Sequence, residues 1–225
     1  MRYDVFMRIL IVVFSVLLFL AQTLFAQPLF RITFEQDDVG KFPSGWRARD
    51  DEEGLKVYSV QAENQKKFLR ADAHGLSVQI SYEKKWDMGD YPILRWQWRA
   101  VTFPDGSNEQ VKKGNDSVLG VYVVLSGLPF VKALKYIWSD TLPVGAAFNS
   151  PYSSGAKMTV IRSGRAQVIE WTTEERDVFS DYQHFFGNDK HPNAIGIAIL
   201  TDADNTKSRA VGDYSEIAIL PRGAK

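Results

Sequence analysis

Short apolar stretches with a two-residue alternation recur along the chain, separated by clusters of Gly, Pro, Asn and Asp. Residues 76–82, for example, place their apolar side chains on one face, and residues 118–126 are rich in β-branched side chains. Residues 67–73 and 76–82 are predicted to form a hairpin around His74 and Gly75. Further strands are predicted over residues 30–35, 93–101, 131–139, 157–162, 166–172, 194–201 and 213–220. The regular spacing of short strands predicts an all-β fold, a sandwich or a barrel.

One segment departs from the strand pattern. Thr172-Thr173-Glu174-Glu175 fits a capping box, in which the Thr172 hydroxyl caps a backbone amide and Glu175 reaches back. Gly187 is a natural helix end. The apolar residues between them recur at helical spacing: Val178, Phe179, Tyr182, Phe185 and Phe186. The pattern predicts one short helix whose aromatic side chains pack on the sandwich. The alternative is a helix that binds a partner protein.

The N-terminus has the order of a secretory signal. Arg2 and Arg8 precede an apolar run over residues 9–20, and Leu24-Phe25-Ala26 before Gln27 is a plausible cleavage site. The alternative is an uncleaved anchor, but the run is shorter than the ~20 apolar residues that span a bilayer. We therefore expect a signal peptide over residues 1–26, one β-sandwich domain over residues 27–225, no stable membrane anchor after cleavage, and a periplasmic or secreted location.

Composition narrows the classes of partner. The chain carries 27 basic and 27 acidic side chains, so the charge gives no reason to expect nucleic acid or an anionic membrane surface as a general partner. It contains no cysteine, so neither a disulfide nor a lipid on cysteine is available. The six tryptophans and high aromatic content suit a sandwich core, and they also suit stacking against sugars.

Several segments together resemble a known family of exported bacterial proteins. They are Phe42-Pro43-Ser44-Gly45-Trp46, the run from Leu94 to Ala100, Asn115-Asp116-Ser117, the run from Lys135 to Ser139, the stretch from Glu174 to Gly187, and the run from Ile199 to Thr206. In this order they resemble the family catalogued as domain of unknown function 3047. The resemblance covers nearly the whole chain after residue 26. It implies a periplasmic β-sandwich and carries no known activity, so it transfers no catalytic residue.

A weaker likeness is to jelly-roll carbohydrate-binding modules. It rests on Phe34-Glu35 with Pro43-Ser44-Gly45-Trp46, and on a closing strand over residues 213–219. Such a likeness is an analogy of fold and does not establish function. It implies that the predicted sandwich is a two-sheet β-sandwich of jelly-roll type.

The strand over residues 93–101 offers a candidate binding face. Its tryptophans point to one side, and Arg95, Gln97 and Arg99 point to the other. Guanidinium groups match carboxylates and phosphates, so an acidic or phosphorylated glycan is a candidate ligand. The alternative is an ordinary solvated face. Arg70, Asp72 and His74 would extend the same surface if their strand belongs to the same sheet.

Two further groups are candidate ligand-binding residues. Tyr122 lies beside Gly120, whose missing side chain would leave room for a ligand over the sheet. Asp202, Asp204 and Asn205 form a dense oxygen cluster after a buried strand, where they would shape one end of the site. Calcium takes such oxygen ligands, so Asp202 and Asp204 are candidate metal ligands. The alternative is an Asx-turn network that closes a loop.

Trp138 belongs to the core on this interpretation, with sugar stacking as the alternative. The chain has no Gly-x-Ser-x-Gly elbow, no His-Glu-x-x-His and no phosphate loop, so the sequence leaves open whether it is an enzyme. The leading hypothesis is binding of a carbohydrate or an acidic envelope glycan. A polysaccharide lyase or hydrolase is the first alternative, and a structural or partner-binding envelope protein is the second.

Overall fold

The computed structural model describes residues 27–126, 131–187 and 193–224. The predicted signal peptide, residues 1–26, lies outside these ranges. No helix of the described part of the chain is long and apolar enough to cross a membrane.

Two packed β-sheets make up most of the described chain. Its strands are β1 (Phe30–Ile32), β2 (Trp46–Ala48), β3 (Tyr58–Glu63), β4 (Lys66–His74), β5 (Ile80–Trp86), β6 (Ile93–Thr102), β7 (Leu119–Leu125), β8 (Lys132–Ser139), β9 (Ala147–Ser150), β10 (Ser153–Ser163), β11 (Thr172–Asp177), β12 (Ala194–Leu200) and β13 (Arg209–Leu220). Sheet A has the order β11-β6-β13-β4-β3, with β1 also paired to β13. Sheet B has the order β2-β5-β12-β7-β8-β10-β9. All described pairings are antiparallel except that of β8 with β10.

The chain crosses repeatedly between the two sheets, as β4 to β5, β5 to β6, β6 to β7 and β12 to β13 each change sheet. This winding is the two-sheet β-sandwich of jelly-roll type that the sequence predicts.

The predicted hairpin around His74 and Gly75 is wrong. β4 lies in sheet A and β5 in sheet B, so the chain changes sheet at this point. β4 instead forms a hairpin with β3, through Asn64 and Gln65, whose positive φ angles of 49° and 65° suit a tight two-residue turn. Strands in opposite sheets turn their apolar faces to the same core, so alternation alone does not show whether consecutive strands pair or face each other.

Tryptophan side chains from both sheets fill the core. The rings of Trp96 and Trp98 meet edge to face with centroids 5.2 Å apart, and Trp96 stacks on Tyr136 of the other sheet at 5.5 Å. Trp138 is 1% exposed and donates from Nε1 to the carbonyl oxygen of Gly164 at 2.9 Å. The core position predicted for Trp138 is confirmed, and its burial leaves no ring face for a sugar.

The helix exists, but it begins later than the capping box indicates. Residues Thr172–Asp177 form the edge strand β11, and the helix α2 (Val178–Phe186) is capped by the Asp177 carboxylate, which accepts from the Ser180 amide at 2.8 Å. Gly187 ends it in the left-handed conformation, as predicted. Glu174 is held in the strand because its carboxylate accepts from Trp98 Nε1 and from Arg162. Residues 166–169, predicted as part of a strand over 166–172, form turns.

The aromatic side chains of α2 pack against the sandwich. Tyr182 is buried, and Phe179, Phe185 and Phe186 are partly buried against the core. The prediction that this stripe packs on the sandwich is therefore confirmed. A second helix, α1 (Asp51–Val57), escapes the sequence pattern because its seven residues include a glycine and little apolar periodicity. Asp50 caps α1 by accepting from the Glu53 amide at 3.0 Å.

Candidate functional site

The structure divides the predicted ligand-binding residues between the two sheets. Arg95, Gln97 and Arg99 lie on β6 in sheet A, whereas Tyr122 lies on β7 in sheet B. Asp202 and Asn205 follow β12, also in sheet B. The Asp202 cluster therefore does not shape one end of an arginine site, as the sequence interpretation has it. Side-chain alternation identifies the outward residues of a strand, but it does not identify the sheet to which the strand belongs.

Arg99 belongs to a buried ion-pair network. It is 8% exposed, its Nη2 lies 2.7 Å from Asp213 Oδ2, and its Nη1 lies 2.7 Å from Glu63 Oε2. Asp213 is fully buried and also accepts from Arg70 Nε at 2.7 Å and Nη2 at 2.9 Å. Because the Arg99 guanidinium is committed to protein carboxylates, its role in the structure is to hold β6, β13 and β4 together.

The rest of the arginine face is also paired. Arg95 binds Glu175 on the neighbouring β11 at 2.7 Å, and it donates to the Ala224 carbonyl. The strand of Arg70, Asp72 and His74 does lie in sheet A, but Arg70 binds Asp213 and Asp72 binds Arg209 at 2.7 Å. Most of the positively charged side chains on this face are therefore already paired with carboxylates, and few are available to bind a ligand.

Gln97 is the predicted residue of sheet A that stays exposed. It lines a depression of about 410 Å³ together with Phe68, Lys66 and Trp171. The Trp171 ring lies 4.6 Å from Arg99 Cζ and 5.5 Å, edge to face, from Phe68. The depression therefore combines fixed aromatic rings with the Gln97 amide, which makes no side-chain hydrogen bond among the described residues.

A larger concentration of polar groups lies on the outer face of sheet B, in a depression of about 370 Å³ that we call the sheet B groove. Its lining consists of Arg49, Ser77, Gln79, Asn115, Tyr122, Lys135, Ser150, Tyr152, Ala156, Leu200, Asp202, Asp204 and Asn205. The groove thus contains Tyr122, Asp202, Asp204 and Asn205 of the sequence prediction. The volume falls within the range of about 300–1,000 Å³ that is usual for small-molecule sites.

Lys135 and Tyr122 form the base of the groove. They are directly opposite each other on β8 and β7, and Lys135 Nζ lies 5.2 Å from the centre of the Tyr122 ring. A side chain at Gly120 would place its Cβ 3.0 Å from Lys135 Cε, so the space above this glycine is taken by Lys135 rather than by a ligand. Sequence reasoning missed Lys135, although a lysine within an otherwise apolar strand was a signal that it fills an unusual position.

The electrostatics of this base are unusual for a protein surface. Lys135 is 4% exposed; burial lowers its pKa, but the neighbouring Tyr122 and Asp202 outweigh that effect and the pKa is raised. Burial raises the pKa of the Tyr122 hydroxyl, with Lys135 opposing the shift. Burial also raises the pKa of Asp202, to about 8, against the opposing effect of Lys135 and with help from the charges of Asp116 and Asp204.

Three aspartates meet at one end of the groove. Asp116, Asp202 and Asp204 each place a carboxylate oxygen within 4.8 Å of the others. Asp116 Oδ2 accepts from the Thr206 amide at 2.7 Å, and its Oδ1 accepts from the Asn205 amide at 3.1 Å. Asp116 precedes Asp202 by more than eighty residues, so only the pairing of β7 with β12 reveals that it completes the cluster.

Near β2 and β5, the groove is lined by groups that have no protein partner among the described residues. Within residues 27–126, 131–187 and 193–224, no side-chain hydrogen bond or ion pair involves the Arg49 guanidinium or the Gln79 amide. Tyr152 lies between β9 and β10, at the other edge of sheet B; it is 59% exposed, and its hydroxyl lies 2.5 Å from Asn205 Oδ1 and 3.0 Å from the Lys112 carbonyl oxygen. The ring of Tyr152 is therefore exposed but held in place.

Comparison with known proteins identifies a family, but the description of that family names no activity. Residues 44–218 match the family described as "Protein of unknown function (DUF3047)". No curated protein matches the chain.

Solved structures give distant likenesses. The CBM22-1 xylan-binding domain of Paenibacillus barcinonensis Xyn10C is 15% identical, over 89% of this chain and 97% of that one, with a TM-score of 0.43. Endoglucanase 3 of family GH12 from Trichoderma harzianum is 10% identical, over 86% and 97%, with a TM-score of 0.47. The xyloglucanase domain of NopAA from Sinorhizobium fredii, solved with cellobiose, is 9% identical, over 87% and 100%, with a TM-score of 0.46. These likenesses are too distant to assign a function.

Proposed function

The chain belongs to the DUF3047 family, and because that description assigns no activity, we propose from the site itself that this protein binds a carbohydrate chain in the sheet B groove. The observation that carries the proposal is the unpaired Arg49 and Gln79 facing a fixed, exposed Tyr152 ring across a polar depression. Sugars present hydroxyl groups around an apolar ring face, so their recognition needs hydrogen-bonding groups and an aromatic surface together.

The two sides of the groove supply different parts of that recognition. Arg49, Gln79 and Ser77 offer hydrogen-bond donors on one side, while Asp204 and Asn205 lie near Tyr152 on the other. Tyr152 brings little conformational freedom to lose on binding, since its hydroxyl is held by Asn205 or Lys112. A ligand lying between the two sides therefore meets donors, acceptors and a stacking surface.

Arg49 also indicates which class of glycan the groove would bind. It is exposed, lines the groove and has no ion-pair partner in the described part of the chain. A free guanidinium binds carboxylates with two parallel hydrogen bonds, so a uronic acid or another acidic sugar suits this position. The predicted signal peptide over residues 1–26 would deliver such a groove to the cell envelope, where acidic glycans are available.

We expect the purified protein to bind glycans on an array that includes uronic-acid polymers and cell-wall fragments. The variant with Arg49→Ala and Gln79→Ala should then bind the best ligand about 10- to 100-fold more weakly, because each change removes a hydrogen bond and one of them is charged. Isothermal titration calorimetry measures this difference.

The matched control is the variant with Arg95→Ala and Gln97→Ala, which removes the same two residue types from sheet A. It should bind like the unchanged protein. Loss of binding in this variant, and not in the groove variant, would move the site to the depression beside Trp171. No binding to any glycan would refute the proposal and favour a structural or partner-binding role. Time-dependent release of shorter products would instead indicate a lyase or hydrolase.

A further inference from the structure

The end of the sheet B groove contains a carboxylate whose environment in the protein is incomplete. Asp202 is 4% exposed, and its Oδ1 is buried without a hydrogen-bond partner among the described residues. Leaving a buried carboxylate oxygen without a donor is costly, so native proteins normally provide one or place an ion there. The unpaired oxygen belongs to a residue whose carboxylate clusters with those of Asp116 and Asp204.

From this unpaired oxygen and the geometry of its neighbours, we propose that Asp116, Asp202 and Asp204 bind a divalent calcium ion. One oxygen from each residue lies within 4.8 Å of the others. Two oxygens that bind the same calcium ion at 2.3–2.6 Å are at most about 5 Å apart, so the three carboxylates are spaced for one shared ion.

The charges of the cluster agree with a divalent cation. Three carboxyl groups can supply three negative charges to a bound cation, and buried Lys135, which lines the same groove, supplies one positive charge. The four side chains together then have a net charge of about −2, which a calcium ion neutralises. Arg49 also lines the groove, but it is exposed to solvent, so its effect on the cluster is screened.

The loop after β12 holds two of the three ligands in orientation. Asp116 accepts from the backbone amides of Asn205 and Thr206, and Asp204 Oδ1 accepts from Asn205 Nδ2 at 2.7 Å. Asp116 Oδ1 also accepts from Asn205 Nδ2 at 3.1 Å, so both of its lone pairs are used, but Asp116 Oδ2 and the Asp204 carboxylate keep acceptor positions for a metal. Such outer contacts fix the direction of metal ligands, while Asp202 Oδ1 is the oxygen left without one.

The proposed calcium site does not depend on glycan binding in the groove. Its test therefore uses calcium alone. The full-length protein is treated with EDTA, returned to calcium-free buffer, and titrated with CaCl₂ to about 10 mM, a range that covers weak extracellular sites. We expect a saturable heat by calorimetry and a rise in Tm of about 5–10 °C at a hundred times the Kd.

Three variants separate binding at this cluster from binding elsewhere. Asp202→Asn and Asp204→Asn should each abolish the calcium-dependent rise in Tm. Asp72→Asn, which changes a half-buried aspartate paired with Arg209 on sheet A, should keep it. In EDTA, Asp202→Asn should melt no lower than the unchanged protein, because the substitution removes one charge from a crowded, buried cluster.

Two results would overturn the inference. The first is the absence of heat and of any Tm rise in the unchanged protein. The second is a rise that persists in both Asp202→Asn and Asp204→Asn. An Asp202→Asn protein that melts far below the unchanged protein in EDTA would also count against it, since it would mean that protein contacts alone hold this carboxylate.

Discussion

Replacing Asp213 with asparagine is expected to lower the free energy of unfolding by about 3–5 kcal/mol, because it leaves buried arginine charge without its carboxylate. Asp213 is fully buried and is shared by Arg70 on β4 and Arg99 on β6. Arg99 retains Glu63, but the side chain of Glu63 is half exposed and cannot replace a buried charge. Urea unfolding followed by tryptophan fluorescence measures the loss.

The control for this prediction lies in the same sheet. Asp72→Asn breaks the pair with Arg209, whose side chain is 52% exposed, and solvent screens such exposed pairs. We therefore expect a much smaller loss of stability than for Asp213→Asn. If Asp213→Asn costs no more than Asp72→Asn, the buried network does not hold β4, β13 and β6 together, and Arg99 regains its candidacy as a ligand-binding residue.

Trp138→Ala is expected to destabilise the protein by about 3–5 kcal/mol, which for a chain of this size corresponds to a fall in Tm of roughly 6–20 °C. The indole is 1% exposed and packs against Trp98 and Phe103, so truncation leaves a large cavity between the sheets. It also leaves the Gly164 carbonyl without its donor. Thermal unfolding by circular dichroism gives the change.

Trp171→Ala provides the comparison for Trp138→Ala, because the Trp171 side chain is 38% exposed. It should cost clearly less, since its surroundings can be filled by solvent. A Trp138→Ala protein that unfolds with the unchanged protein but loses glycan binding would show that Trp138 contacts a sugar after all, against the core assignment.

The sequence predicts most of the long strands and their faces for a physical reason, but it misses β2, β3, β9 and β11. The alternation in residues 93–101 correctly sends Trp96 and Trp98 inward, because burial of indole rings dominates the free energy of such a strand. The same reasoning correctly places Trp138 in the core. These correct predictions depend on the local alternation of apolar and polar residues, which can be observed in the sequence itself.

The candidate site depends on a different kind of information. The sequence offers Tyr122 and the cluster of Asp202, Asp204 and Asn205 as separate candidates, and the pairing of β7 with β12 brings them to one groove. Arg49, Asp116 and Lys135 come to the same groove from distant segments, and their arrival depends on sheet order. The arginine face fails as a shared site for the same reason, since nothing in the spacing of Arg95 and Arg99 reveals Asp213 on β13.

The position of β13 in sheet A has a consequence for how the chain folds as it is synthesised. β13 follows every other described strand in sequence, yet it lies between β6 and β4 and also pairs with β1. The earlier strands of sheet A therefore lack their shared neighbour until residues 209–220 have emerged from the ribosome. Pairings between such distant segments form slowly, so we expect folding to follow synthesis rather than accompany it.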